Sequence, residues 1–241
     1  MTFAEYVQGI TFRSVQPDTP VPATWGPPIE KDALLDLELG NIALPCDDAT
    51  TKQLLRSLRT IPRMASMTNA AIIQYGVSGL APDQCYLNIG TYCGFSLFAG
   101  MIGNPSTCCI GVDNFSEFDA PEKAFTTEFT KRKSPHHLFF NMDYVRYLTT
   151  VHTQPIGFYF YDAAHTYNHQ LQGLRLAEPF FAPGCIVMVD DTNDPAPRRA
   201  TIDFLTNSQH QYRILLDQCT IEEGGHPTFW NGLIILQRTE S

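Results

Sequence analysis

The chain has 241 residues, of which 44% are hydrophobic and 17% are charged, a composition typical of a globular protein with one large core. Its formal net charge is −9, and its 16 Lys and Arg residues form no basic run longer than Lys131-Arg132-Lys133, which argues against nucleic acid or an anionic membrane as the main partner. No segment approaches the roughly 18 apolar residues of a membrane span, and the first residues do not resemble a signal peptide. We therefore expect a cytoplasmic protein that acts on a small molecule, and we leave homo-oligomerisation open.

The seven cysteines form no CxxC pair, and several lie inside apolar runs, where a thiol behaves as a small hydrophobic side chain. The sequence therefore indicates reduced, structural cysteines, without a disulfide framework or a zinc site.

The first 80 residues are predicted to form an extension ahead of the core. Five prolines between positions 17 and 28 predict an extended arm over residues 1–30 that blocks regular helix. Helical patterns follow from residue 31 to about residue 79, and the last of them ends at Gly79. We assign residues 1–80 to this arm and helical lead-in and residues 81–241 to the core, and we expect the extension to cover the binding crevice.

Seven short apolar runs predict the strands of the core. They occupy residues 85–90, 108–114, 136–141, 156–163, 185–191, 212–217 and 229–237. The first five are separated by segments long enough for helical crossovers, and their continuous apolar character suits strands buried on both faces. The last two are joined by a short link that permits an antiparallel hairpin at one edge. The pattern predicts an α/β fold with a Rossmann-like, doubly wound, seven-stranded and mostly parallel sheet.

A glycine turn follows the first of these strands. Gly90 and Gly94 lie between a strand and a helical segment, and such a turn, with Thr91 inside it, lets a ligand approach backbone N–H groups. Asp113 ends the next strand 23 positions after Gly90, near where doubly wound folds place the carboxylate that holds a ribose. Glycines that only permit a tight turn are the alternative for the first motif.

Phe115 and Asp143 are weaker candidates for the same site. The Phe115 ring suits an adenine face, and the Asp143 carboxylate suits the adenine amino group. Aromatic packing and helix capping explain these two residues equally well.

Three carboxylates follow two other predicted strands. Asp162 ends one strand, and Asp190 and Asp191 end the next. If these strands are neighbours, the three carboxylates converge and suit an octahedral divalent ion such as Mg²⁺. The alternative is helix capping or solvation in loops. His165, three positions after Asp162, is a candidate general base because imidazole titrates near neutral pH, although a lone histidine is often structural.

These motifs together resemble the class I S-adenosylmethionine-dependent methyltransferases. The resemblance covers residues 84–237 and rests on LNIGTYCG, GVD, YDAAHTY, EPFFAPG and VMVDD. It is closest to the small-molecule O-methyltransferases with a D-G-x-H-x-Y-like signature, whose relatives include macrocin and catechol O-methyltransferases. It implies S-adenosylmethionine as cofactor, a small-molecule methyl acceptor and, in the metal-dependent members, a divalent ion.

The resemblance also assigns roles to residues. Gly90, Thr91 and Gly94 would line the methionine part of the cofactor, and Asn88 would lie where relatives carry an acid that helps to orient its amino group. Asp113 would hold the ribose, and Asp143 would lie near the adenine, as would the Phe115 ring. We count Asp162 among both the cofactor-binding and the catalytic residues. Asp162, Asp190 and Asp191 match metal ligands, and His165 stands where the catechol enzymes have a catalytic lysine.

Three departures and two rival functions accompany this interpretation. The usual acid is replaced by Asn88, the D-G of the signature is Asp162-Ala163, and Ala164 stands where some macrocin-type relatives have a further acid. An NAD-dependent oxidoreductase would use the same glycine turn and ribose acid, but the chain lacks the middle glycine of G-x-G-x-x-G. A binding protein of the same fold without turnover is the second rival.

Overall fold

The computed structural model describes residues 1–21, 31–118, 121–221 and 224–239. The part of the predicted arm that contains Pro22, Pro27 and Pro28 lies outside the described residues.

A seven-stranded sheet forms the centre of the molecule and confirms the predicted fold class. Its strands are β3 (Cys85–Ile89), β4 (Cys108–Asp113), β5 (His137–Asn141), β6 (Ile156–Tyr161), β7 (Phe181–Asp190), β8 (Tyr212–Gln218) and β9 (Leu233–Arg238). They lie in the order β5-β4-β3-β6-β7-β9-β8. The first five are parallel, whereas β9 is antiparallel to both β7 and β8. The order of strand addition reverses between β3 and β6, because β4 and β5 lie on one side of β3 and β6 and β7 lie on the other, and ligands of open α/β sheets bind at this kind of switch point.

Helices connect the parallel strands and cover both faces of the sheet. They are α5 (Phe95–Met101), α6 (Glu122–Arg132), α7 (Tyr144–Thr150), α8 (Tyr167–Ala177) and α9 (Pro195–Asn207). Strand β6 shows why the apolar runs are continuous. Phe158 and Phe160 pack into the core on one face, Tyr159 and Tyr161 pack into the core on the other, and all four residues are fully buried. A strand that is covered on both faces has no solvent-exposed face, so its sequence does not alternate between apolar and polar residues.

The segment before the sheet contains α2 (Lys31–Asn41), α3 (Asp48–Leu55) and α4 (Met67–Ser78), and a small sheet in which β1 (Thr11–Phe12) pairs with β2 (Ile42–Ala43). The expectation that residues 1–30 contain no regular helix is wrong, because α1 spans Phe3–Gly9. The prolines begin only at position 17, and Thr2 and Glu5 form a capping box that starts the helix. Tyr6 and Val7 of α1 are buried in the same core cluster as α4 and α5.

The seven cysteines are free thiols, and four of them are buried. Within the described ranges, no helix has both the length and the apolar character needed to cross a membrane.

Candidate active site

A cavity of about 500 Å³ opens at the carboxyl edge of the parallel strands. Its walls come from the loops that follow β3, β4, β5, β6 and β7, from the segment just before β9, and from residues 63–65 ahead of α4. Three residues of the helical lead-in therefore contribute to the crevice, and its coverage by the arm stays a prediction. The predicted site residues come at or just after the ends of parallel strands, and these strands all end at the carboxyl edge. The topology therefore brings motifs that are distant in sequence into one cavity.

The glycine turn forms the floor of the cavity. Gly90 has φ +81°, and a Cβ added to it would lie 1.8 Å from the carbonyl oxygen of Asp162 on the neighbouring strand. Only glycine fits so close to another backbone in this conformation. Thr91, which is buried, lines the cavity beside it. Gly94, at φ +97°, is the N-cap of α5, and an added Cβ would lie 2.5 Å from the ring of Phe98, so packing requires glycine here, and a contact with a cofactor stays a prediction.

Asp113 holds this turn in place. Its Oδ2 accepts hydrogen bonds from the backbone N–H groups of Thr91 at 2.7 Å and Tyr92 at 2.9 Å, and its Oδ1 accepts from Phe115 N at 2.7 Å. The residue also lines the cavity. The structure therefore joins the two motifs that the spacing suggested, the glycine turn and the strand-terminal acid. The contact between Asp113 and a ribose stays a prediction.

Phe115 and Asp143 lie on the same side of the cavity. The Phe115 ring lines the cavity and packs against Phe125 and Phe139, with centroid separations of 5.5 and 5.6 Å. Asp143 is the N-cap of α7, where its Oδ1 accepts from Val145 N and Arg146 N. Both structural alternatives are thus present, and both residues also line the cavity, so their contacts with adenine stay a prediction.

Asn88 lies beneath the turn and is fully buried. Its Nδ2 donates to the carbonyl oxygen of Gly90 at 3.0 Å, and its Oδ1 accepts from Ser96 Oγ at 2.9 Å. The amide therefore joins the turn to the first residues of α5 from inside the protein. A contact between Asn88 and a cofactor stays a prediction.

Two of the three predicted metal carboxylates meet His165. His165 Nε2 lies 3.1 Å from Asp191 Oδ2 and 3.9 Å from Asp162 Oδ1, and all three side chains line the cavity. Burial, together with the charges of Asp191 and Asp113, raises the pKa of Asp162 well above its ordinary value. Burial also raises the pKa of Asp191, while His165 and a hydrogen bond from Asn231 act against that rise. The imidazole thus lies between two carboxylates whose ionised forms would be stabilised by a positive charge on the ring.

Asp190 does not share this position. It is 1% exposed, its Oδ1 accepts from Asn69 Nδ2 at 3.4 Å, and its Oδ2 is buried without a partner. Burial and the two neighbouring carboxylates raise its pKa well above the ordinary value. Asp190 is the last residue of β7, and Asp191 turns away from it with φ +54°, so consecutive carboxylates face different surroundings.

The predicted three-carboxylate metal site is therefore not formed. In the part of the chain that the structure describes, no group of three or more His, Cys, Asp or Glu side chains is arranged to hold a metal ion. The alternative of helix capping by Asp190 or Asp191 is also not what the structure shows, because Asp194 occupies the N-cap position of α9.

Several cavity residues were missed by sequence reasoning. Arg63 lines the cavity, forms a buried ion pair with Glu38 at 3.0 Å, and lies 5.4 Å from the centre of the Phe95 ring. The two residues of this ion pair are 25 positions apart, and no local sequence pattern predicts their contact. Trp230 and Asn231 also line the cavity. They were assigned to the last strand because FWNG resembles strand sequence, but β9 begins only at Leu233.

Comparison with known proteins agrees with this arrangement. Residues 87–192 match the sequence model of a family described as a methyltransferase domain. The fold is the Rossmann-like fold of methyltransferases. A comparison with curated proteins finds no match.

Solved structures with this methyltransferase fold resemble the chain over most of its length. The cofactor-bound Rv0187 protein from MTB is 14% identical, with a TM-score of 0.60, and the match covers 92% of this chain and 100% of that protein. An O-methyltransferase from Bacillus cereus in complex with SAH is 15% identical, with a TM-score of 0.58 and coverage of 81% and 93%. A TDP-rhamnose 3'-O-methyltransferase of calicheamicin biosynthesis is 15% identical, with a TM-score of 0.50 and coverage of 80% and 94%.

Proposed function

We propose that this protein is an S-adenosylmethionine-dependent methyltransferase that methylates a hydroxyl oxygen of a small molecule. One observation carries the proposal: a single cavity joins the glycine turn, the Asp113 carboxylate and the His165–Asp191 pair. The first two features suit a nucleoside cofactor, and the third suits removal of a proton from an acceptor. The O-methyltransferase from Bacillus cereus, which has a similar fold and was solved with SAH, supports the assignment.

The residues around the turn would bind the cofactor. Asp113 fixes the N–H groups of the turn and presents its carboxylate to the cavity, where it would accept from a ribose hydroxyl group. Phe115 would lie against the adenine, and Asp143 would accept from its amino group. When bound, S-adenosylmethionine supplies an electrophilic methyl group on a sulfonium centre.

His165 would act as the general base. A neutral hydroxyl group is a poor nucleophile, so its proton must leave as the new C–O bond forms. The proton would enter the imidazole of His165, and the resulting positive charge would be stabilised by Asp191 at 3.1 Å and Asp162 at 3.9 Å. Orientation of the acceptor by the same cavity would supply the rest of the rate enhancement.

The residues present do not fit the divalent ion that the metal-dependent relatives imply. Asp162 and Asp191 already face the His165 imidazole, and Asp190 is buried against Asn69. No step of the proposed reaction therefore passes through a metal.

The proposal is tested by calorimetric titration with S-adenosylmethionine, S-adenosylhomocysteine and NAD, each with Mg²⁺ and with a strong chelator. We expect both sulfur compounds to bind equally well under the two conditions, and NAD not to bind. Transfer of a labelled methyl group to a panel of hydroxylated acceptors then separates an enzyme from a binding protein of the same fold. Binding of NAD alone would overturn the proposal in favour of an oxidoreductase.

A further inference from the structure

The order of the strands divides the cavity into two halves. Gly90, Asp113 and Asp143 follow β3, β4 and β5, on one side of the sheet order. Asp191 and Asp194 follow β7, and Asn231 precedes β9, on the other side. If the cofactor occupies the first half, as the proposed function requires, the second half is where the methyl acceptor binds.

The charge of the cavity is strongly unbalanced. Six carboxylates line it, from Asp113, Glu117, Asp143, Asp162, Asp191 and Asp194. Among the described lining residues, the only Lys or Arg side chain is Arg63, and its guanidinium is already paired with Glu38. Carboxylates gathered in a cavity repel one another and favour a ligand that brings positive charge.

The acceptor half also contains a buried hydrogen-bond acceptor without a donor. Asn231 is 8% exposed and lines the cavity, and its Oδ1 is buried with no hydrogen-bond partner. Its side-chain amide is oriented by the hydrogen bond with Asp191. The side chain of Asp194 makes no capping hydrogen bond although it stands at the N-terminus of α9. A buried carbonyl oxygen without a donor is costly, so a ligand that donates hydrogen bonds here would be favoured.

We propose that the methyl acceptor carries a protonated amine, which binds in the half of the cavity formed by Asp191, Asp194, Trp230 and Asn231. An ammonium group brings three N–H donors and one positive charge, which suit two carboxylates and an unpaired amide oxygen of residues that line the same half of the cavity. Trp230 adds an aromatic side chain, the kind of surface on which cations bind favourably. An acceptor that carries a phosphate or carboxylate would find no free cation among the described lining residues and would be repelled.

The experiment uses the full chain saturated with S-adenosylhomocysteine and a library of matched triples. In each triple, one hydroxylated aromatic scaffold carries a primary amine, a carboxylate or an alcohol, as in tyramine, 4-hydroxyphenylacetate and 4-hydroxyphenylethanol. Binding is measured by calorimetry and by ligand-observed NMR. We expect the amine of a binding triple to be preferred over the alcohol by about tenfold or more, the scale of a hydrogen bond to a charged group, and the carboxylate not to bind.

Two matched variants locate the preference. Asp194→Asn should reduce the preference for the amine by about tenfold while the affinity for S-adenosylhomocysteine stays unchanged. Asp36→Asn makes the same change of charge at an exposed position on α2 and should leave the preference intact.

Three results would overturn the amine proposal: equal binding of the amine and the carboxylate, an amine preference that Asp194→Asn does not alter, or the absence of binding by every triple to the loaded protein. Failure of S-adenosylhomocysteine itself to bind is a different result, because it would overturn the proposed function.

Discussion

Replacement of Asp113 by asparagine is the sharpest test of how the cofactor half of the cavity is built. Asparagine keeps the size of the side chain but exchanges one acceptor oxygen for an N–H₂ donor. In wild type, Oδ2 accepts from Thr91 N and Tyr92 N, while Oδ1 accepts from Phe115 N. The least damaging orientation of the amide keeps the first two bonds as neutral ones and turns the new donor toward Phe115 N. At least one bond is lost, and two become weaker.

The expected magnitude follows from these contacts. The lost bond to a charged group is worth about 1.5–3 kcal/mol, and each of the two bonds that become neutral loses about 1 kcal/mol. The variant should therefore be destabilised by about 3.5–5 kcal/mol, which for a chain of this size lowers Tm by roughly 7–20 °C. Loss of the charged ribose acceptor should also weaken S-adenosylhomocysteine binding by about ten- to a hundredfold.

The assay combines thermal unfolding with calorimetric titration of the folded variant. Asp143→Asn is the matched control, because it removes a carboxylate from the same half of the cavity and asparagine caps a helix as well as aspartate does. Its Tm should hardly change. If Asp113→Asn lowers Tm but keeps the wild-type Kd, Asp113 only supports the turn and the ribose assignment is wrong. If neither quantity changes, the hydrogen bonds themselves contribute little.

Three further predictions concern other parts of the site. Gly90→Ala should lower the free energy of unfolding, measured by chemical denaturation, by about 4 kcal/mol or more because the added Cβ would clash with a backbone oxygen. Gly184→Ala, at φ +78° with open space around it, should lower it by only about 1–2 kcal/mol. Equal losses in the two variants would contradict the steric argument. His165→Ala should lower kcat about 10²–10⁴-fold without changing cofactor affinity, and His169→Ala, at the same cavity, should not; equal rates in the two variants would remove His165 as the base. The pKa of Asp190 is raised in the folded protein, so the contribution of its carboxyl group to stability is complete below about pH 4 and is lost as the pH rises through the folded-state pKa. Asp190→Asn should therefore raise Tm at pH 8 but not at pH 4. The same shift in Tm at both pH values would refute this account.

The fold was largely predictable because its signals are local. Each parallel strand is a short apolar run buried on both faces, and each crossover segment is long enough for a helix. The contact between the glycine turn and Asp113 was also predictable, because the adjacent parallel strands β3 and β4 end at the same edge of the sheet. Helix α1 was missed because the proline density of residues 1–30 was averaged over a stretch whose first 16 positions contain none.

The faces taken by Asp190 and Asp191 were not predictable from sequence. Both follow an apolar run, and which of them enters the cavity depends on where β7 ends and on the left-handed conformation of Asp191. That conformation belongs to a turn closed by a hydrogen bond from Asp194 N to Asp191 O. The donor to Asp190 comes from Asn69, 121 positions earlier, which no local pattern could supply.

The acceptor half of the cavity owes its shape to two loops that are hydrogen-bonded to each other. Asn193 N donates to the carbonyl oxygen of Asn231 at 2.9 Å, and an added Cβ on Gly232 would lie 2.5 Å from Asn193 Oδ1. The loop that carries Asp191 and Asp194 is therefore fixed against the segment that carries Trp230 and Asn231. Polar groups that are already held in position do not have to reorganise when a ligand binds, so little of their electrostatic interaction with the bound acceptor is lost to the free energy of reorganisation. The cofactor half is fixed separately, by the hydrogen bonds of the Asp113 carboxylate to its own turn, so a substitution in one half should leave the backbone of the other half in place.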